Sequence, residues 1–100
     1  TLYQFIGSYS MQGPDGGEKK VELNLTDNNN SMYLYTNGSL TKKGTYSFAD
    51  DKFTLTFEGE DAVEVTKNDA GNYVYSFQIS VSSFFGTSTV DVVLTYTPSK

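Results

Sequence analysis

The 100-residue chain contains no cysteine, no histidine, no arginine and no tryptophan, and only two prolines. Without cysteine there is no disulfide, no thiol nucleophile and no thiolate zinc site. Without histidine the usual general base near neutral pH is missing, and so is the commonest transition-metal ligand. The seven basic residues are all lysine; set against twelve Asp and Glu they leave a net charge of −5 and a pI of about 4.4. An acidic chain without arginine argues against a nucleic-acid footprint. The longest apolar run, Met32-Tyr33-Leu34-Tyr35, has four residues, against the roughly 20 that a membrane-spanning helix needs. A chain of this length is one domain, 1–100.

What is present favours strands. Thr (12), Tyr (8) and Phe (7) are abundant, and all three suit a pleated, half-buried surface. Apolar residues recur with period two rather than 3.6. Val21, Leu23 and Leu25 alternate with Glu22 and Asn24, and Phe53, Leu55 and Phe57 with Thr54 and Thr56. Tyr73, Tyr75, Phe77, Ile79 and Val81 share one face, as do Val90, Val92, Leu94 and Tyr96. Gly-, Asn- and Asp-rich turns break the chain at seven places, among them Asp27-Asn28-Asn29-Asn30, Asn37-Gly38 and Asp50-Asp51. Eight strands follow, near 6–12, 19–26, 31–36, 41–48, 52–58, 62–67, 73–82 and 88–97. Short links make successive strands antiparallel neighbours, and eight strands close a small up-and-down barrel. The fold class is therefore all-β, an eight-stranded antiparallel barrel, with Leu2–Ile6 expected as a short helical turn at one end.

Two stretches carry a family likeness. Phe5-Ile6-Gly7-Ser8-Tyr9 resembles the first-strand signature of the lipocalin-like (calycin) barrels, in which a Gly and, two residues later, an aromatic, usually Trp, follow a helical turn. Tyr9 stands at the aromatic position. Gly44-Thr45-Tyr46-Ser47-Phe48, Asp50-Asp51 and Lys52–Phe57 resemble the central hairpin of small bacterial lipocalin-like domains. The chain has neither that Trp nor the Arg that in many lipocalins packs over it, which sets it among divergent members. The resemblance implies an exported bacterial setting (secreted, periplasmic or cell-surface, including lipoproteins) and a binding role. The first residue is Thr with no visible signal peptide, as expected of a trimmed or mature form.

The polar constellations read as structure. Glu58, Glu60, Asp61 and Glu64 cluster around one turn; a glycosidase pair needs one carboxyl in a desolvated cleft, which a tight surface hairpin does not offer. The run from Asp27 fails as a calcium loop, because its sixth and twelfth positions are Met32 and Gly38. Ser39 and Lys42 have a Ser-x-x-Lys spacing, but residues i and i+3 of a strand point to opposite faces, and the companion motifs are absent. Asn24, Asn29 and Asn37 head Asn-x-Ser/Thr triplets, which an Asn/Ser/Thr-rich chain produces by chance. No catalytic residue, metal or cofactor is assigned.

The aromatic residues carry the functional expectation. In one reading a small apolar ligand enters the barrel mouth, lined by Tyr9, Tyr46, Phe48, Phe57, Phe77 and Phe85, with Phe84 at the lip. In the other the barrel is filled, and a protein or polysaccharide partner docks on rings outside the core: Tyr33, Tyr35 and Tyr73.

Overall fold

The computed structural model describes residues 2–11, 17–83 and 86–98. Eight strands follow in order: β1 (Tyr3–Met11), β2 (Gly17–Leu25), β3 (Ser31–Thr36), β4 (Ser39–Ala49), β5 (Lys52–Phe57), β6 (Val63–Thr66), β7 (Tyr73–Ser83) and β8 (Gly86–Tyr96). They form one antiparallel sheet in the order β6-β5-β4-β3-β2-β1-β8-β7. The sheet curls until β6 and β7 meet at the bridge Lys67↔Tyr73, which makes a nearly closed up-and-down barrel.

The N-terminal segment departs from expectation. Leu2–Ile6 forms no helical turn, and no helix occurs among the described residues. Tyr3 and Phe5 point inward, and Gln4 and Ile6 point outward, in step with the rest of β1. The ladder to β2 runs unbroken from Tyr3↔Leu25 to Met11↔Gly17, and the Leu2 N–H donates to the Leu25 carbonyl at 2.8 Å. The period-two pattern of β1 extends four residues further toward the N-terminus than a helical plug would allow.

The turns spend their polar residues on backbone geometry. Asn37 and Gly38 both have positive φ (51° and 84°), as do Asp50 and Asp51 (54° and 59°). These are the two-residue hairpin conformations that match the twist of flanking strands. Asn29 and Asn30 are left-handed too, at 56° and 53°, so the would-be calcium loop is a turn that Asn accepts at little steric cost. In the β6–β7 connection the Asn68 Oδ1 accepts from the N–H groups of Ala70 and Asn72, each at 3.0 Å.

Two glycines let the wall bend, and each stands where a side chain would strike backbone. A Cβ on Gly7 would lie 2.0 Å from the Val93 carbonyl oxygen of β8, and one on Gly44 2.1 Å from the Thr56 oxygen of β5. Glycine within a strand commonly marks such a corner or close approach.

The β7–β8 ribbon is packed against the wall but shares few ladder pairs with it. Its two strands pair along eleven positions, from Tyr73↔Tyr96 to Ser83↔Gly86. Among the described residues its ladder to β1 is the single pair Ile6↔Thr95, and to β6 the single bridge named above. The radius of gyration is 14.4 Å, against about 13 Å for a compact chain of this length. The extents of 45 × 30 × 21 Å reflect the long hairpins.

The core is the inner face of the barrel. Phe5, Leu23, Leu25, Met32, Phe53, Leu55, Val92 and Leu94 have no exposed surface. Each large side chain taken fully out of water contributes roughly 1.5–3 kcal/mol. No polar or charged residue is buried among the described residues.

Candidate functional site

The rings expected to line one cavity fall into two groups at opposite ends of the barrel. Tyr46 and Phe48 belong to a cluster at the end that carries the 27–30, 50–51 and 68–72 connections. Phe53 is its centre, edge-on to Tyr3 (5.0 Å between centroids), Phe5 (5.4 Å) and Tyr73 (4.9 Å), and tilted against Phe48 (4.4 Å). Edge-to-face and offset contacts at these separations are favourable beyond the area they bury. The Tyr46 hydroxyl donates to the Thr26 carbonyl at 2.7 Å, which satisfies the one polar atom that a buried tyrosine brings. Burial, then the hydroxyl of Tyr3 and the charge of Asp27, raises the Tyr46 pKa above 10.0. Tyr96 is raised in the same way, by burial first and then by Tyr3 and Tyr73.

The filling is tight at this level. A side chain with no accessible surface touches no space that holds a water molecule, whether outside or inside the barrel. Phe5, Leu23, Leu25, Phe53, Leu55, Val92 and Leu94 all meet that condition. Tyr73 is corrected by the same measure. It is 2% exposed and stacks on Tyr96 at 5.9 Å, so it is a core ring and offers no surface to a partner.

At the opposite end Phe57, Tyr75 and Phe77 form a second row. Phe57 and Tyr75 are 6.2 Å apart, and Tyr75 stacks on Phe77 at 5.3 Å. Phe57 is buried, whereas Tyr9, Tyr75, Phe77 and Ile79 are half-buried against the core. Lys42 pairs with Leu34 of the inner face; its ammonium lies 5.5 Å from the Phe57 ring and pairs with Glu60 at 2.6 Å. Its stem covers apolar surface while its charge stays wet. Tyr75 has a raised pKa, through burial first and the charge of Glu60 second. Phe84 and Phe85, expected at the lip and the cap, lie outside the described residues.

Tyr33 and Tyr35 do stand on the outer face, both half-buried. The register sets them in two rows across the sheet: Gln4, Asn24, Tyr33 and Lys43 in one, and Ile6, Glu22, Tyr35 and Leu40 in the other. Neighbouring members of a row are about 4.8 Å apart in backbone spacing. The Gln4 amide donates to Asn24 Oδ1 at 2.9 Å and to Glu22 Oε2 at 3.3 Å. Lys20 pairs with Glu22 at 2.8 Å. Each tyrosine walls a shallow groove. Tyr35 does so with Glu22, Asn24 and Asn37, and Tyr33 with Lys43, Thr45 and Thr56. The volumes are about 500 and 430 Å³.

The acidic turn is solvated. Glu60 and Glu64 pair with Lys42 and Lys52 at 2.6 and 2.9 Å with all four side chains well exposed. Among the described residues no three acidic side chains converge as a cation site. Sequence reasoning missed the parts played by Tyr3, Tyr75 and Tyr96 in the ring clusters, although their period-two phase carried the signal. It also missed the Gln4–Asn24 contact, which depends on the β1–β2 register. Compared with protein-family models, curated proteins and solved structures, the chain matches none.

Proposed function

We propose that this protein is a non-catalytic binding module, a divergent relative of the lipocalin-like barrels in an exported protein, whose contact surface is the outer face of β2 to β5. The partner is a polysaccharide chain laid across Tyr33 and Tyr35. The observation that carries this reading is the position of the two rings: each walls an open groove whose other walls carry amide, hydroxyl and charged side chains, with Lys20 and Glu22 beside Tyr35 and Lys43, Glu58 and Glu60 beside Tyr33. A sugar has an apolar face that stacks on an aromatic ring and hydroxyls that bond to amides and carboxylates around it. Asn24, Asn37, Thr45, Thr56 and Glu22 supply those groups here. The fully buried rings and aliphatics of the interior leave their level of the barrel without room for a guest. Gly7 supports the family reading, since the position of the signature glycine is where β1 touches the backbone of β8.

The test is affinity electrophoresis against a panel of neutral and acidic polysaccharides. Retardation by one of them, abolished in Tyr33→Ala and in Tyr35→Ala with the circular dichroism spectrum unchanged, is the expected result. Equal retardation of both variants and the parent refutes it, and capture of a protein instead would transfer the same face to a protein partner.

A second reading rests on Tyr9, Tyr75, Phe77 and Ile79, which stay half-exposed at the end away from the Phe53 cluster. In it this end takes a small apolar ligand. Saturable binding of a naphthalene-type fluorescent probe, weakened by Phe77→Ser, distinguishes it from the first.

A further inference from the structure

β7 is an edge strand for most of its length. It pairs with β8 on one side, and on the other, among the described residues, it makes only the bridge at Tyr73. β6 ends its own ladder at Thr66 and spans four residues against the eleven of β7. The Asn68 N–H donates to the Asn72 carbonyl at 2.8 Å on the β6 side, so alternation aims the backbone groups of Val74, Ser76, Gln78 and Ser80 the same way. From Ser76 onward no strand of the described residues stands there to receive them.

Soluble proteins ordinarily blunt such an edge with lysine, proline or a bulge. The sequence of β7, Tyr-Val-Tyr-Ser-Phe-Gln-Ile-Ser-Val-Ser-Ser, has no charge, no proline and no glycine, and its register with β8 runs without a bulge. The only charge opposite it on β8 is Asp91, which accepts from the Gln78 amide at 2.8 Å. The rest of the chain carries the net charge of −5. The edge is thus the stretch along which two acidic copies can meet without setting like charges face to face.

We infer that β7 is a self-pairing edge, and that the protein forms a two-fold dimer by antiparallel β7–β7 addition. The occupant is a second copy because an uncharged, alternating strand is complementary to its own reverse. With the two-fold axis at Gln78, Ser76 lies opposite Ser80 of the second copy and Phe77 opposite its Ile79. The half-buried inner residues Phe77 and Ile79 then gain a cross-strand apolar partner. The free stretch from Ser76 to Ser83 is eight residues, about 27 Å at strand rise. An interface of this kind belongs to the small class, below about 1,200 Å², so association depends on concentration.

The experiment is sedimentation equilibrium of the whole chain over a hundredfold range of concentration in physiological salt, with amide exchange on the same samples. The expected result is a monomer–dimer equilibrium between 11.1 kDa and twice that mass. The amides of Ser76, Gln78 and Ser80 become protected only where the dimer forms. Ser76→Lys with Ser80→Lys places lysines opposite one another twice across the axis and weakens association roughly tenfold or more. Thr89→Lys, on the same face of the ribbon but on β8, leaves it unchanged. A monomer throughout, a dimer that tolerates the lysine pair, or a dimer with these three amides still exchanging freely overturns the inference. The exchange result on the parent protein decides the matter even if the double variant fails to fold.

Discussion

Replacing Gly7 with alanine adds one methyl group where β1 lies against the backbone of β8. An ideal Cβ there sits 2.0 Å from the Val93 carbonyl oxygen and 2.9 Å from both the Val93 carbonyl carbon and the Leu94 Cδ2. Contacts under 3.0 Å are essentially never adopted, so β8 must retreat by about 1 Å. The obstacle is backbone, and no rotamer change relieves it. Overpacking of a core costs typically about 1–3 kcal/mol; with the main chain as the obstacle, Gly7→Ala is expected at about 3 kcal/mol. That is a large part of the stability of a small domain, about 5–15 kcal/mol in total. The displacement falls beside Ile6↔Thr95, the only ladder pair between β1 and β8 among the described residues, so the ribbon should loosen before the rest. Urea unfolding measures the loss, and amide exchange locates it in β7 and β8. Gly59→Ala is the comparison: its φ of +77° strains a side chain, but nothing lies within 4 Å, so its cost is conformational only and near 1 kcal/mol. A Gly7→Ala loss no larger than that of Gly59→Ala, with β7 and β8 still protected, would refute the packing argument.

Two further outcomes follow from the core. Leu55→Ala removes a fully buried side chain and should cost about 2–5 kcal/mol in urea unfolding, at the upper end if Phe53 and Phe57 cannot close the void. The tyrosines set the alkaline limit: Tyr46, Tyr75 and Tyr96 have pKa values raised above 10.0 by burial, so the folded state holds its phenolic protons longer than the unfolded chain. The stability they contribute is complete below pH 10 and falls as pH rises through the unfolded and then the folded values. Thermal unfolding between pH 7 and 11 should show that fall; Tyr46→Phe should reduce it, at a cost of about 1 kcal/mol at pH 7 for the bond to Thr26.

The strand count, the order and most of the inward set were legible because a half-buried strand has to alternate, and Phe53-Thr54-Leu55-Thr56-Phe57 does so without a break; Phe5, Met32 and Leu34 are core residues that this reading left out. Chain ends were harder to read. Leu2–Ile6 contains too few residues to separate a turn of helix from a strand on period alone, and the deciding partner, β2, is distant in sequence. The site was less legible than the fold. Phase shows which face a ring points to but not how far along the barrel axis it lies. Tyr46 and Phe77 are both inward, yet they belong to different ends. Tyr73 shows the same limit: it was expected among the rings outside the core, and its burial comes from Tyr96, Phe53 and Phe48 packed around it. Tyr33 and Tyr35 stand outside the core in only one of two readings of the sequence, because Met32-Tyr33-Leu34-Tyr35 is apolar on both faces; the burial of Met32 and Leu34 is what assigns the inner face.

The pair Ile6↔Thr95 also has a consequence for the folding path. From β1 to β6, and again between β7 and β8, every ladder joins strands adjacent in sequence. Such contacts form early, because little chain has to be looped out. Joining residues near 6 to residues near 95 encloses almost the whole molecule, at a loop-closure cost of about 4 kcal/mol. One bridge cannot offset that, so the join must be carried by Phe5, Val92, Leu94 and Tyr96 entering the core. The barrel should therefore close late, by side-chain docking rather than by zipping, and the contact between β1 and β8 should be the last to become native.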